Sequence, residues 1–390
     1  MSYIFADLFS GCGGLSYGFH DRRKFKMLLA VDAWKSAQEI YSKNFPGISF
    51  ECYDLSMQKN QRSVVARLKN RCDLLLGGPP CQGFSTLGKR RDNDARSTLV
   101  DVFADIAMKI SPKLIILENV RGITSKRHPK GAAYSQVLIQ ALSRHYCVDA
   151  RVVDCREFGL AQTRVRWILV AVRRNLQDAG ELVDEFWKLF NSKRNRPNLT
   201  LRDAIGDLPQ IQSGEGANEI IIRRGGRTRT IFNHKAMNHS AELLARLAHV
   251  PPGGGLLDVP LQLLNTHLKK MRKGHYGNGG HVKNIYGRLE WNKPAGTVVA
   301  GIDKITCGRF VHPEIDRLLT PRECARLQSF PDTFTFTGSA VTQYYLIGNA
   351  VPPNISLALA FASEHILQKA KKLESKRRWI RTETANELRV

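Results

Sequence analysis

Three short stretches of this chain carry residue types that could do chemistry together. In LLLGGPPCQGFS, residues 74–85, a thiol follows directly on a diproline. Leu74, Leu75 and Leu76 read as a short buried strand. Gly77 and Gly78 let the backbone turn close to a ligand, and Pro79-Pro80 holds the exit extended. Cys81 is therefore presented at a strand end, which suits a nucleophile better than a small buried cysteine filling a turn. The second stretch is Glu118-Asn119-Val120, after the apolar run of residues 113–117, where an acid could serve proton transfer or sit in a structural ion pair. The third is Gln162-Thr163-Arg164-Val165-Arg166. Alternation turns Gln162, Arg164 and Arg166 to one side, and two guanidiniums there imply an anionic or carbonyl-rich partner.

Regular alternation of strands and helices must position these groups. Residues 3–9 read as a first strand, and Ser10-Gly11-Cys12-Gly13-Gly14 as a tight turn into a helix starting in residues 15–20. The glycines permit close backbone approach, although their spacing is not that of a dinucleotide fingerprint. A second strand, residues 27–31, ends in Asp32, roughly twenty residues past the turn, where such folds place an acid to accept from ribose hydroxyls. A third strand, residues 50–53, precedes Asp54, and a fourth, residues 72–76, leads to Cys81. Helices over 98–110 and 134–145 and strands over 113–117, 147–153 and 166–172 continue the pattern. The expected fold is α/β, a doubly wound Rossmann-like sheet with its site at the carboxyl edge.

From about residue 175 that alternation is expected to stop. Gly, Pro and basic residues accumulate, with basic runs at 223–229 and 269–273. The segment 83–98 is polar and basic and is expected to be a loop closing over a ligand. Thr320-Pro321-Arg322-Glu323 reads as a capped helix start, Ile347-Gly348-Asn349 as part of a second tight turn, and residues 354–367 as an amphipathic helix with a basic extension.

The 390 residues suffice for two domains, and a net charge of +24 points to a polyanionic partner. No apolar run reaches membrane-spanning length, and the N-terminal residues lack a signal-peptide layout. Nucleic acid is the expected partner, and a reducing cytoplasm the expected compartment. The eight cysteines are scattered, with no Cys-x-x-Cys pair, so neither zinc nor a disulfide framework is expected.

In order along the chain, these motifs resemble those of the DNA (cytosine-5)-methyltransferases, in their prokaryotic or phage modification form. Residues 7–14 (DLFSGCGG) are similar to the family's cofactor loop, and Gly78-Pro79-Pro80-Cys81-Gln82 to its nucleophile motif. Glu118-Asn119-Val120 resembles its acid motif, Gln162-x-Arg164-x-Arg166 its arginine motif, and residues 320–330 and 348–352 its closing motifs. Asp32 stands where many members carry Glu. The resemblance implies methyl transfer from S-adenosylmethionine to carbon-5 of a flipped-out cytosine in duplex DNA, through a covalent bond to Cys81. It further implies that Glu118 protonates the ring, with Arg164 and Arg166 beside it. Phe9, Ser10, Gly11, Cys12, Gly13, Gly14, Asp32, Ala33, Asp54, Leu55, Pro79, Leu99, Asn349 and Val351 would hold the cofactor. Gln82, Ser85, Lys89, Arg90, Arg91 and Thr297 would meet DNA.

By the same resemblance, residues 1–175 with 338–390 form the catalytic domain, and 176–337 the target-recognition domain. The implied protein is a monomer at the prokaryotic nucleoid, paired with a restriction endonuclease of the same target. An RNA cytosine methyltransferase on the same scaffold and a catalytically silent DNA-binding protein are the alternatives. The long basic insert speaks against the first, and the presence of Cys81, Glu118, Arg164 and Arg166 together against the second.

Overall fold

In the computed structural model, which describes residues 2–80, 99–194, 198–224, 227–272 and 284–387, seven apolar stretches pair into one sheet. β1 (Tyr3–Leu8), β2 (Phe25–Asp32), β3 (Phe50–Cys52), β4 (Leu74–Gly77) and β5 (Leu114–Val120) run parallel. β6 (Tyr146–Asp154) and β7 (Val165–Arg173) complete the order β3-β2-β1-β4-β5-β7-β6, with β7 antiparallel to both neighbours. α1 (Tyr17–His20), α2 (Lys35–Asn44), α3 (Gln58–Leu68), α4 (Leu99–Ile110) and α5 (Tyr134–Leu142) link these strands.

Side chains alternate across the pleat, so β4 sends Leu74 and Leu76 into one core and Leu75 into the other. A strand buried on both faces reads as an unbroken apolar run, as Leu74–Gly77 does. Helices therefore cover both faces, and the expected doubly wound architecture is present. Strand order reverses between β1 and β4, and the backbone leaving these two strands frames the crevice where such sheets bind ligands.

β5 runs to Val120, so Glu118 and Asn119 close the strand at the carboxyl edge as expected, held by pairing with β7. Three other sequence expectations are corrected. Alternation does not stop at residue 175, because α6 (Ala179–Asn191) buries Leu182, Val183, Phe186, Trp187 and Phe190 against β6 and β7. The apolar positions recur at helical spacing there, a pattern the surrounding polar residues conceal.

Farther on come α7 (Leu201–Ile205), β8 (Gly216–Arg224), β9 (Arg227–Lys235), α8 (Ala241–Leu247), α9 (Thr266–Arg272), α10 (Pro321–Leu327), α11 (Ala340–Asn349) and α12 (Pro353–Glu387). The basic run at 223–229 thus lies in a β-hairpin, where Arg229 is paired with Asp207 and Asp332. Ile347-Gly348-Asn349 is the last turn of α11, with the extended Ala350 after it. α10 begins as expected, with Thr320 and Glu323 capping each other. Glu323 is also bound by the fully buried Arg317 at 2.8 Å.

Residues between α8 and β-bridge partner Val311 have a small core of their own, including Leu247, Val250, Leu256, Val259, Leu264 and Leu268. Among the described residues no single helix is long and apolar enough to cross a membrane. α11 with the first part of α12 passes that test only as a pair bent by 40°, and its Tyr344, Ile347, Ile355 and Leu359 are buried in the main core.

α12 returns the chain to its start. Gly18 in α1 packs so close that a Cβ there would lie 2.4 Å from Leu357 N and 2.5 Å from Ser356 O. Those are backbone atoms with no freedom to step aside. Gly18→Ala is expected to cost about 1–3 kcal/mol through overpacking, read by denaturant unfolding. Unchanged stability would mean that α1 and α12 are not in this contact.

Candidate active site

The crevice between β1 and β4 opens into a cavity of about 470 Å³. Its floor is the backbone following β1. Phe9 leaves the strand with φ of 60°, a left-handed conformation that turns the chain sharply. Ser10 N–H donates to Val31 O at 3.0 Å, and Gly11 N–H donates to Asp32 Oδ2 at 2.9 Å. Asp32 also accepts from Trp34 N–H at 3.0 Å, so one carboxylate ties the glycine turn to the end of β2. Burial pushes Asp32 up from its ordinary value, and these amide donors oppose the shift.

The opposite wall is the closing segment. A Cβ on Gly14 would lie 2.3 Å from Val351 O, and one on Gly348 would lie 2.2 Å from Val299 C, so only glycine permits these approaches. Cys12 Sγ reaches Leu346 O at 3.8 Å. Its thiol is pushed up to about 12 by burial, and it is neutral lining rather than a reactive group. Chain ends more than three hundred residues apart thus build one cavity.

Glu118 and Arg166 stand at the inner end. Val120 faces Arg166 across the β5–β7 ladder and Glu118 faces Ile168, which makes Glu118 and Arg166 diagonal neighbours on one face. Arg166 Nε donates to Glu118 Oε1 at 2.9 Å, and its Nη1 donates to Val165 O at 2.8 Å. Burial raises the Glu118 carboxyl above its ordinary value, against the pull of Arg166 and Arg164. Asn119 Nδ2 donates to Pro79 O at 3.1 Å, which anchors the diproline two residues before Cys81.

Arg164 is placed differently from Arg166. It is 1% exposed, and its Nη atoms donate to Val298 O at 3.0 Å, Gly348 O at 3.3 Å and Ala350 O at 2.8 Å. The carbonyl-rich partner is the protein's own backbone. Gln162 is a staple as well, donating to Leu327 O at 2.7 Å and accepting from Val298 N–H at 3.0 Å.

Phe9, Ser10, Gly11, Cys12, Gly14, Asp32, Ala33, Asp54, Leu55, Pro79, Leu99, Glu118, Arg164, Arg166, Asn349 and Val351 all line the cavity. Gly13 does not; it faces the rings of Phe45 and Tyr41, where a Cβ would come within 2.5 Å of Phe45. Thr297 lies outside the lining as well, its hydroxyl donating to Thr163 O. Cys81, Gln82, Ser85, Lys89, Arg90 and Arg91, with the expected loop at 83–98, lie outside the described residues.

Sequence reasoning missed Trp34 and Tyr345, whose rings meet edge to face at 4.7 Å on the cavity wall. An aromatic residue two positions past Asp32 was the available signal for Trp34. Tyr345 had none, because its helical register toward the cavity follows from where α11 packs. Aromatic and apolar walls beside Asp32 and Asp54, with backbone amides at the glycine turn, fit an adenosine with a charged amino-acid tail. The arrangement can bind such a group against the sheet edge and bring a planar base beneath Glu118.

A family model for C-5 cytosine-specific DNA methylase matches residues 3–364. The chain is 32% identical over 365 residues to the Type II methyltransferase M1.HphI of Haemophilus parahaemolyticus, covering 93% of this chain and 87% of that one. It is 30% identical to the Type II methyltransferase M.AgeI of Thalassovita gelatinovora, covering 91% and 97%. Its fold is similar to that of an Escherichia coli prophage protein assigned as a DNA modification methyltransferase. That likeness has a TM-score of 0.69 at 24% identity and covers 94% of this chain and all of that one.

Asp7, behind the glycine turn, is fully buried, and neither of its oxygens makes a well-formed hydrogen bond. Burial pushes its carboxyl up to about 7, and nearby Ser16 offsets this only in part. Because folding raises this pKa, the neutral acid is the form the fold prefers. The stability it contributes is complete below the unfolded value near 4 and is lost as pH rises through 7, a difference on the order of a few kcal/mol. Asp7→Asn is expected to flatten that slope, measured by denaturant unfolding at pH 5 and pH 8. An unchanged slope would show that Asp7 does not hold its proton in the fold.

Proposed function

The chain belongs to the C-5 cytosine-specific DNA methylase family, and on that premise we propose which of its residues carry the reaction. The chemistry itself is methylation of cytosine at carbon-5 in DNA, with S-adenosylmethionine as methyl donor and a cysteine adduct on the path. The observation that carries the assignment is the Glu118–Arg166 pair at 2.9 Å, on the wall of the cavity that Pro79 and Pro80 also line. That wall ends one residue before Cys81.

Carbon-5 of an intact cytosine ring is a poor nucleophile. The Cys81 thiolate adds to carbon-6, and the ring electron pair moves toward carbon-5 as Glu118 delivers a proton to N3. Arg166 holds Glu118 through Nε and turns its remaining donors to the ring carbonyl. When bound, S-adenosylmethionine would supply an electrophilic methyl on a sulfonium sulfur, which carbon-5 takes as the sulfur–methyl bond breaks and the sulfur leaves as a neutral thioether. A water removes the carbon-5 proton, and the electron pair returns to the ring as Cys81 leaves. Phe9 and Trp34 would flank the adenine, Asp32 would accept from the ribose hydroxyls, and the Gly11 and Gly14 backbone would border the methionine part. Arg164 acts as a positioning residue through the carbonyls it holds.

The target base must leave the duplex to be attacked, at a cost of a few kcal/mol in unstacking. Phosphate contacts from basic residues offset that cost, and a net charge of +24 suits the task. We assign DNA contact to Gln82, Ser85, Lys89, Arg90, Arg91 and Thr297, and target recognition to residues 176–337, where 241–311 carries its own small core. The setting that fits best is a prokaryotic cell, at the nucleoid, with a restriction endonuclease of the same target as partner.

The test is a covalent trap. The protein is mixed with S-adenosylmethionine and duplex DNA of random sequence carrying 5-fluorocytosine, from which fluorine cannot leave as a proton. A denaturation-resistant adduct is expected, absent in Cys81→Ser and formed at least 100-fold more slowly in Glu118→Gln, in line with loss of a general acid. An adduct that survives Cys81→Ser would overturn the assignment of the nucleophile.

A further inference from the structure

The hairpin of β8 and β9 stands apart from the cavity, which none of its residues lines. The outer edge of β9 is covered: Phe232 N–H donates to Asp332 O at 3.3 Å, and Phe232 O accepts from Arg322 Nε at 2.6 Å. β8 pairs with β9 alone among the described strands, so its other edge is open. Phe232, which stands opposite Glu219, thus turns its backbone groups away from β8, and this sets the phase of the ladder. Counting along it, Ile220 and Ile222 turn their backbone groups to β9, while Glu219, Ile221 and Arg223 turn theirs outward. An edge with free N–H and C=O groups is a template for another strand.

The sequence of β8 is complementary to itself about Ile221. Two copies laid antiparallel with Ile221 opposite Ile221 bring outward-pointing backbone groups together at Ile221 and at Glu219 against Arg223. The same register sets Glu219 opposite Arg223 twice. Those residues fall at hydrogen-bonded positions, where Cα atoms stand about 5.5 Å apart and the opposed side chains are still neighbours. Glu219 and Arg223 are exposed, and Ile221 is 55% exposed, an uncovered apolar side chain at the centre of the strand. Charges on an edge commonly repel a second copy, but that requires like charges to face each other. Here the facing charges are opposite.

We infer that the open edge of β8 docks a second copy of this chain, forming a four-stranded antiparallel sheet across a two-fold axis. The interface is a single strand pair, which places it among weak, concentration-dependent associations. The net charge of +24 on each copy opposes approach, so association needs salt that shortens the Debye length to about 8 Å.

The test is sedimentation velocity on the full chain without DNA, over a range of micromolar concentrations at physiological salt. Reversible dimer formation is expected. Glu219→Arg and Arg223→Glu each turn two attractive pairs into repulsive ones and are expected to weaken the dimer about tenfold or more. Mixed together, the two variants face each other with opposite charges and are expected to associate as a heterodimer. The mixture also shows that neither variant has merely misfolded. A chain that stays monomeric throughout, a dimer insensitive to both substitutions, or a mixture that fails to associate would each overturn the inference.

Discussion

One buried guanidinium decides how this protein is put together. Arg164 carries a full charge with 1% of its surface exposed, and an unpaired ion in such a place costs several kcal/mol. Carbonyl oxygens must come to it. Those that do belong to Val298, Gly348 and Ala350, residues 134 to 186 positions further along the chain. Drawing them to the start of β7 fixes the end of α11, and with it the extended segment that meets the glycine turn at Gly14. α12 then closes against α1. The cavity has two walls because Arg164 requires its carbonyls.

Inside that cavity, environment rather than residue type assigns the roles. Glu118 and Cys12 are buried and Asp32 is half-buried, and loss of water disfavours the charged form of each. For Asp32 the opposing partners are backbone amides that lock it into the turn. For Glu118 the opposing partner is foremost a mobile-proton chemist's choice of neighbour, a guanidinium 2.9 Å away, and the carboxyl still sits above its ordinary value. An acid so balanced can hold a proton and give it up to a ring nitrogen. Cys12 has no such partner and stays a thiol. Asn119 holds the diproline that precedes Cys81 in the sequence, its side chain donating to Pro79 O.

Much of this was legible in the amino-acid order, for identifiable reasons. Strands buried on both faces announce themselves as unbroken apolar runs, and their ends locate Asp32, Asp54 and Glu118 at one edge. The capping box of Thr320 and Glu323 could be read from four residues. The division between Arg164 and Arg166 could not be read. Alternation puts both on one side, but only the packing of α11 and the Val298 segment shows which one meets backbone and which meets Glu118. The hairpin of β8 and β9 was hidden by its arginines, which suggested a loop on phosphate although Ile220, Ile221, Ile222 and Ile231 carry the β preference. Trp34 and Tyr345 escaped because a wall made by two distant elements has no local signature.

Arg164 couples the closing segment to the cavity through the three carbonyls it holds. The direct measurement is amide hydrogen exchange, with calorimetric titration of S-adenosylmethionine, on the parent chain and on Arg164→Lys. Lysine keeps the charge but cannot span three carbonyls with a planar fork. Faster exchange is expected, confined to residues 296–300 and 346–352, with unchanged protection in β1, β4 and β5 and S-adenosylmethionine binding weakened at least about tenfold, or 1.4 kcal/mol. Unchanged exchange in those two segments together with unchanged cofactor affinity would contradict it.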